Sequence, residues 1–490
     1  MTGLAATLFK TDFKLDVFVY LGIVYFSLFL LWFFSAWQSL LERLQSSAME
    51  RVWMIFGLVA GLGFAGIATA EWGVDFFGTA LFLGLCIGLA LIDDGAAACL
   101  LASSLYLRPW ELIPNDPYLG MLPRMSIVLC LAHLFMNFAR DRKFNWVKNQ
   151  LSFILLGFAF WCFASTTFAP HPAQSQSSFF DGFLKSITLY FILIQMVRTG
   201  PQLRQLLGSL LVSFLFVGSV SVYQTLRISA LTEGGDMRLT GFGAFQNSND
   251  IAALMVFIMP FAAFAALRKT ESIFMRFLGG TTTLIAFVTI VLSRSRGALL
   301  GIAMMVGAYF IIKIGRKAIV PVAAALVLLA LPAMILISNR SDRDLEGSSE
   351  SRKTYLKAGL RMGVTNPVLG VGFDAYPENL VRYSTEALEE GSQMTAHNSF
   401  VLVFAETGFP GLLLFLGAYA FCALLAWKVY RSYPEFLLAV LGYGVAMFFL
   451  SHSYLMYPYL LYALVHIAQT IRKDPELETE TVVNLQMFPV

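Results

Sequence analysis

Charge is what this sequence has least of. Asp, Glu, Lys and Arg together make up 13% of its 490 residues, about half of the roughly 25% that soluble domains carry. A soluble chain of this length would form two or three domains with polar surfaces, and too few polar side chains are present to coat them. Neither sign is in excess: 34 Lys and Arg face 31 Asp and Glu, a formal balance of +3, so no bulk charge argues for nucleic acid. Cysteine is scarce too. Cys86, Cys99, Cys130, Cys162 and Cys422 lie inside apolar runs with no CxxC pair and no neighbouring histidine, and read as small buried hydrophobes rather than disulfides or metal ligands. No pair among the five histidines and the carboxylates has zinc-ligand spacing. Against these absences stand 58% hydrophobic residues, 45 Phe, 18 Tyr, 8 Trp and a mean hydropathy of +0.70. Disorder is excluded, and an all-α, polytopic membrane bundle remains.

A bilayer core of about 30 Å takes roughly 20 apolar residues as helix. Fifteen apolar runs are candidates: 15–37, 53–70, 74–92, 95–107, 119–138, 152–169 and 182–198, then 206–226, 250–267, 274–292, 297–314, 318–337, 398–427, 435–451 and 453–471. The run 95–107 is short and follows Asp93-Asp94-Gly95, so about 14 transmembrane helices are expected. No cleavage site follows a short apolar core at the N-terminus, and the first span is expected to stay. Sixteen Lys and Arg fall in one set of loops, among them Arg140, Arg268, Lys313, Lys428 and Arg472, against five in the short opposite segments. By the positive-inside rule 139–151 and the tail 472–490 are cytoplasmic, and 227–249, 293–296 and 338–397 face outward. The chain then divides into N-terminal membrane helices (1–225), a catalytic membrane region (226–471) and the tail. The outer stretch 338–397 is long enough to suggest function. A helix is predicted over 350–362 with Ser348 or Ser349 as N-cap, a break at Asn366-Pro367 and a turn at Gly370-Val371-Gly372, together forming a small cap.

Three features from distant parts of the chain fall on that outer face. The first is Arg238-Leu239-Thr240-Gly241-Phe242, followed by Asn247-Ser248-Asn249-Asp250 at the start of a span, with Asn249 or Asp250 expected to cap it. Arg238 reads either as a snorkelling interfacial residue or as a ligand for an anion. The second is Ser293-Arg294-Ser295-Arg296-Gly297. It interrupts an uncharged apolar run, and a tight turn needs neither arginine, so the functional reading gains weight. The third is Thr395-Ala396-His397-Asn398-Ser399, just before a span that Asn398 or Ser399 can cap. The positive end of that helix dipole disfavours imidazolium. A neutral imidazole is what a general base requires, while the plainer alternative is a structural histidine in a loop. His133 and His466 lie within spans and read as interhelical hydrogen-bonding residues; His171 reads as solvated, and His452 as outward-facing and a second choice.

Arginines match phosphate geometry, a neutral histidine accepts a proton, and the lipid-flanked setting suggests a lipid-borne phosphate. A lipid-linked diphosphate attacked by a hydroxyl fits all three. These residues resemble the O-antigen ligase/polymerase superfamily of bacterial envelope glycosyltransferases. The likeness runs through RLTGF (238–242), NSN (247–249), SRGA (295–298), NPVLGVGF (366–373) and AHNSFVLVFAETGFPG (396–411). It implies a metal-independent transferase with no cofactor, in the bacterial inner membrane, with its active site facing the periplasm. Its expected donor is an undecaprenyl-diphosphate-linked glycan and its acceptor a glycan or the lipid A core. Arg238 and Arg296 match arginines proposed to hold the diphosphate, with Arg294 as an extra candidate. His397 matches the histidine proposed to activate the acceptor. Asn398, Glu406, Gly241 and Asn249 complete the motifs as supporting residues, and Ser248 stands where the family usually has proline.

The chain's length, its extra N-terminal spans and the sixty-residue outer loop favour a polymerase of O-antigen, exopolysaccharide or capsule repeat units. A ligase, or its protein O-oligosaccharyltransferase variant, is the alternative. A flippase for the same lipids is disfavoured, because the strong charges cluster at one face instead of the midplane. A chain-length regulator is the further partner left open, and no nucleic-acid partner is expected.

Overall fold

The computed structural model describes residues 93–108, 122–141, 149–231, 247–315, 342–384 and 394–473, together with Arg238, Leu239, Gly241, Lys317 and a few positions between 59 and 91. Every regular element among them is helical. In chain order these are α1 (Asp94–Leu107), α2 (Leu122–Asp141), α3 (Gln150–Thr166), α4 (Pro172–Ser178) and α5 (Leu184–Met196), then α6 (Gly200–Leu231), α7 (Ser248–Leu267), α8 (Ile273–Ser293) and α9 (Arg296–Ile314). The last five are α10 (Asp342–Thr365), α11 (Tyr376–Tyr383), α12 (Ser399–Val429), α13 (Pro434–Met447) and α14 (Met456–Lys473). A π-turn over Phe179–Phe183 joins α4 to α5.

Seven helical stretches among the described residues are long and apolar enough to cross a membrane, and α1, α3 and α13 are shorter apolar helices. The runs 15–37 and 318–337, which supply part of the expected fourteen spans, lie outside the described residues, as do 53–70 and 74–92 but for those few positions. Cys99, Cys130, Cys162 and Cys422 are buried free thiols; Cys86 lies outside. The polar ends of the apolar helices are tied together. At one end Arg268, just past α7, pairs with Glu435 at the start of α13 at 2.9 Å. At the other end α7, α9 and α12 all begin and α13 finishes. Two glycines set the crossing of α9 with α13: a Cβ on Gly301 would stand 2.8 Å from the Gly442 carbonyl oxygen, so no side chain separates the helices there.

The apolar stretch predicted as one span from 398 is not a single rod. Gly408 has φ 69°, in the left-handed region that glycine adopts without steric cost, and the chain reverses there. Phe400 packs against Phe415 and Tyr419 with ring centroids 5.7 and 6.3 Å apart. In a continuous helix those positions would stand more than about 20 Å apart along the axis. The helix therefore has a short leg, Ser399–Thr407, lying antiparallel to a long leg, Phe409–Val429. Hydrogen bonds from Phe409 N to the Pro367 carbonyl (2.8 Å) and from Val371 N to the Ala405 carbonyl (2.9 Å) lock the turn against the segment after α10.

That segment belongs to the expected cap. Its helix is longer than predicted: α10 starts at Asp342, ahead of the proposed Ser348 or Ser349 cap, and ends at Thr365 before Asn366-Pro367 as expected. It runs along the short leg of α12, with Gly359 against Val401 and Gly363 against Phe404. Tyr355, Ala358, Met362, Tyr376 and Leu380 form a second, small buried core between α10, α11 and that leg.

Candidate functional site

Three helices start at one place. Asn247 caps α7, its side chain accepting from Asn249 N at 2.9 Å, so the expected cap at Asn249 or Asp250 is corrected to a residue just before them. The helix begins at Ser248, and Asn249 and Asp250 fall within its first turn. Asn398 caps α12 as expected, its side-chain oxygen accepting from Phe400 N and Val401 N at 3.0 Å each. Between α8 and α9 the turn is two residues long, Arg294 adopting φ 53° and Ser295 serving as N-cap. Ser295 N donates to Ser293 Oγ at 3.2 Å, which ties the turn from within. The segment carrying Arg238 is fastened to this hairpin, Leu239 N donating to the Leu292 carbonyl at 3.0 Å.

These elements enclose a cavity of about 350 Å³. Arg238, Arg294, Arg296 and His397 all line it, and so do Asn249 and Asn398. Arg352 and Lys353 of α10 complete the lining on the cap side. No Asp or Glu lines it. Five cationic side chains and the N-terminal ends of three helices therefore share one space, a strongly anion-attracting arrangement. Arg238 and Arg294 are half-buried, and Arg296 is exposed.

His397 sits at φ 47°, a conformation uncommon for a residue with a side chain and frequent at functional positions. Its ring tilts against Tyr355 at 6.2 Å. Burial pushes the imidazole below its ordinary pKa and the Arg352 charge pushes it further, while Asp250 pulls the other way. The expectation of a neutral histidine rested on the helix dipole; desolvation and a neighbouring guanidinium are stronger physical causes.

Two supporting residues stand elsewhere. Glu406 is buried in the short leg of α12 and does not line the cavity. Its Oε1 accepts from Tyr376 N at 3.1 Å, so it anchors α11 to α12. Gly241 is half-buried and also lies outside the lining. Among the other histidines, His133 bonds Asp94 and His466 bonds Tyr190, both between helices as read. His171 is exposed. His452 lies at the same end as the His397 loop and is buried, 1% exposed, with both its ring nitrogens in bonds with Asp250 and Tyr443.

Sequence reasoning missed Arg352 and Lys353. The helix carrying them was legible, but which of its faces meets the cavity depends on how α10 docks along α12. It also missed Phe448, Phe449 and Leu450, which line the cavity from the end of α13; they carry no motif, and only adjacency to His452 could have pointed to them. No group of three or more His, Cys, Asp or Glu side chains able to hold a metal occurs among the described residues.

No curated protein matches the chain. Residues 281–416 match the family model described as O-antigen ligase. The matched stretch takes in the arginine turn, the cap helix, the 366–373 segment and the His397 loop; Arg238 lies upstream of it. Over that stretch, rather more than a quarter of its length, the chain is similar to the O-antigen ligase family.

Proposed function

We propose that the cavity is the transfer site of a glycosyltransferase that takes its glycan from an undecaprenyl-diphosphate carrier on the periplasmic side of the inner membrane. The observation that carries this reading is the single acid-free space lined by Arg238, Arg294, Arg296 and His397. A diphosphate leaving group accumulates negative charge as its bond to the sugar breaks, and preorganised guanidinium groups stabilise that charge. The acceptor hydroxyl attacks the anomeric carbon from the opposite side and passes its proton to His397. A new C–O bond forms as the old one to phosphate breaks, with its electron pair leaving on the diphosphate, and the anomeric configuration inverts. The cap helix α10 closes the space and holds both glycans in register. The periplasmic placement is supported by the loops: the basic residues Arg268, Lys269, Lys313, Lys428 and Arg431 all follow helix ends away from the cavity or close those helices.

Polymerisation of repeat units is the preferred reaction, supported by the extra N-terminal helices and the built cap. A ligase acting on the lipid A core is the second reading, favoured by the description of the matched family. Both are tested in a deletion strain: accumulation of unpolymerised lipid-linked units supports polymerase, and accumulation of full-length lipid-linked polymer supports ligase. In reconstituted vesicles supplied with the lipid-linked donor, His397→Ala should abolish transfer while the protein still inserts. Retained transfer would remove the base from the scheme.

A further inference from the structure

The loop that carries His397 is held by a second loop, residues 448–452, through a row of hydrogen bonds. Asn398 Nδ2 donates to the Phe448 carbonyl at 3.0 Å and Ser399 Oγ to the Leu450 carbonyl at 2.6 Å. Ser451 Oγ donates to Thr395 Oγ1 at 3.0 Å and His452 N to Ser399 Oγ at 2.9 Å. The same His452 then reaches across to α7. Its Nε2 lies 3.0 Å from Asp250 Oδ1 and its Nδ1 2.9 Å from the Tyr443 hydroxyl. With Asp250 ionised, Nε2 must donate, and a neutral ring then accepts the Tyr443 O–H at Nδ1. The ring is 1% exposed, so the bond fixes the carboxylate's position from the protein interior. Asp250 itself is partly open, its side chain 26% exposed, one residue from the cavity-lining Asn249.

We propose that Asp250, oriented by His452, is a positioning residue for the transfer reaction: it sets the carboxylate that balances the cationic cavity at His397. This inference rests on the reading of His397 as the base. The charged groups that line the cavity with that imidazole are otherwise all cationic, Arg352 and Lys353 from α10, Arg294 and Arg296 from the α8–α9 turn, and Arg238, and the Tyr355 ring lies beside it. A base surrounded only by cations loses basicity, and with it the strength of general-base catalysis. One carboxylate at the rim, outside the space where the diphosphate would sit, restores basicity without occupying the anion site. Asp250 acts on His397 in that direction.

The test is the pH profile of transfer by the full-length protein in vesicles with lipid-linked donor. Asp250→Asn should lower kcat about tenfold or more, move the acid limb of kcat to lower pH, and leave the donor KM unchanged or smaller, because the cavity gains net positive charge. Asp250→Glu, which keeps the charge, should return the limb toward its original position. His452→Gln should move the limb in the same direction by a smaller amount. An acid limb that stays in place in Asp250→Asn, with kcat and KM both impaired, would assign Asp250 a structural role only and overturn the proposal. His397→Ala run alongside separates the two claims. Activity in that variant defeats the base, whereas an inactive His397→Ala beside an unshifted Asp250→Asn defeats the positioning residue alone.

Discussion

His133 and His452 each bond a carboxylate, yet they belong to different kinds of place. His133 lies between α1 and α2, with Nδ1 2.7 Å from Asp94 Oδ1 and Nε2 2.7 Å from the Ala90 carbonyl. A carbonyl can only accept, so Nε2 is the donor there, and one proton must sit between Nδ1 and Asp94. Asn137 Nδ2 closes the set by donating to the other Asp94 oxygen at 2.8 Å. Both His133 ring nitrogens and both Asp94 oxygens are matched by another polar atom. His452 is matched in the same way, but its carboxylate partner stands at the margin of a space lined by five cations and a second histidine. Burial of charge alone does not mark chemistry. A cavity does, when groups of one sign meet a proton acceptor around it.

Substitutions at six positions sharpen or break this contrast. His397→Ala should have the largest effect, a loss on the order of 10²–10⁴ in kcat, measured by transfer in vesicles; a smaller drop would make the cavity no more catalytic than the His133 cluster. Replacing Arg238 or Arg296 by Ala should lower kcat by about 10²–10³, with Lys restoring part of it. Unequal losses in Arg294→Ala and Arg296→Ala would identify which arm of the turn faces the phosphates. Arg352→Ala removes a cation that depresses the His397 pKa, so the imidazole should hold its proton to higher pH. The acid limb of kcat should then move to higher pH, opposite in sign to the effect of losing Asp250. His133→Asn should do least to transfer, leaving kcat per folded molecule unchanged. It should instead destabilise the protein by about 1–3 kcal/mol through unmatched buried polar groups, seen as a lower unfolding midpoint in detergent.

Much of this site is legible in the sequence because polar residues inside apolar runs are expensive and therefore informative. The Arg294–Arg296 turn stood out for that reason, and Arg238 and His397 because they lie in outer segments just ahead of helix starts; the structure brings them to one cavity. What could not be read depends on packing between elements. The register of α10 against α12 decides that Arg352 and Lys353 face inward, and hydropathy carries no trace of it. The reversal at Gly408 was hidden because both legs of α12 are apolar, so a window of hydropathy runs through the turn as if it were a straight span. The partners of His452 were not legible because it sits in a short loop between two spans with no motif around it. Its burial follows from the pairing of residues 448–452 with the His397 loop, which no local pattern announces.

The reversal at Gly408 also makes the short leg of α12 a ruler. The leg has about nine residues, and its lower end hangs the His397 loop beneath the turn. Adding or deleting one residue within it would shift that loop by about 1.5 Å and rotate it by about 100°, carrying the imidazole away from the arginines. The same change near the far end of the long leg, beyond Cys422, would leave the loop's depth untouched. Indels that preserve insertion should therefore be tolerated below the turn on one side and lethal to transfer on the other. In the proposed reaction, the position of the attacking hydroxyl relative to the carrier's phosphates is thus set by the length of this short leg.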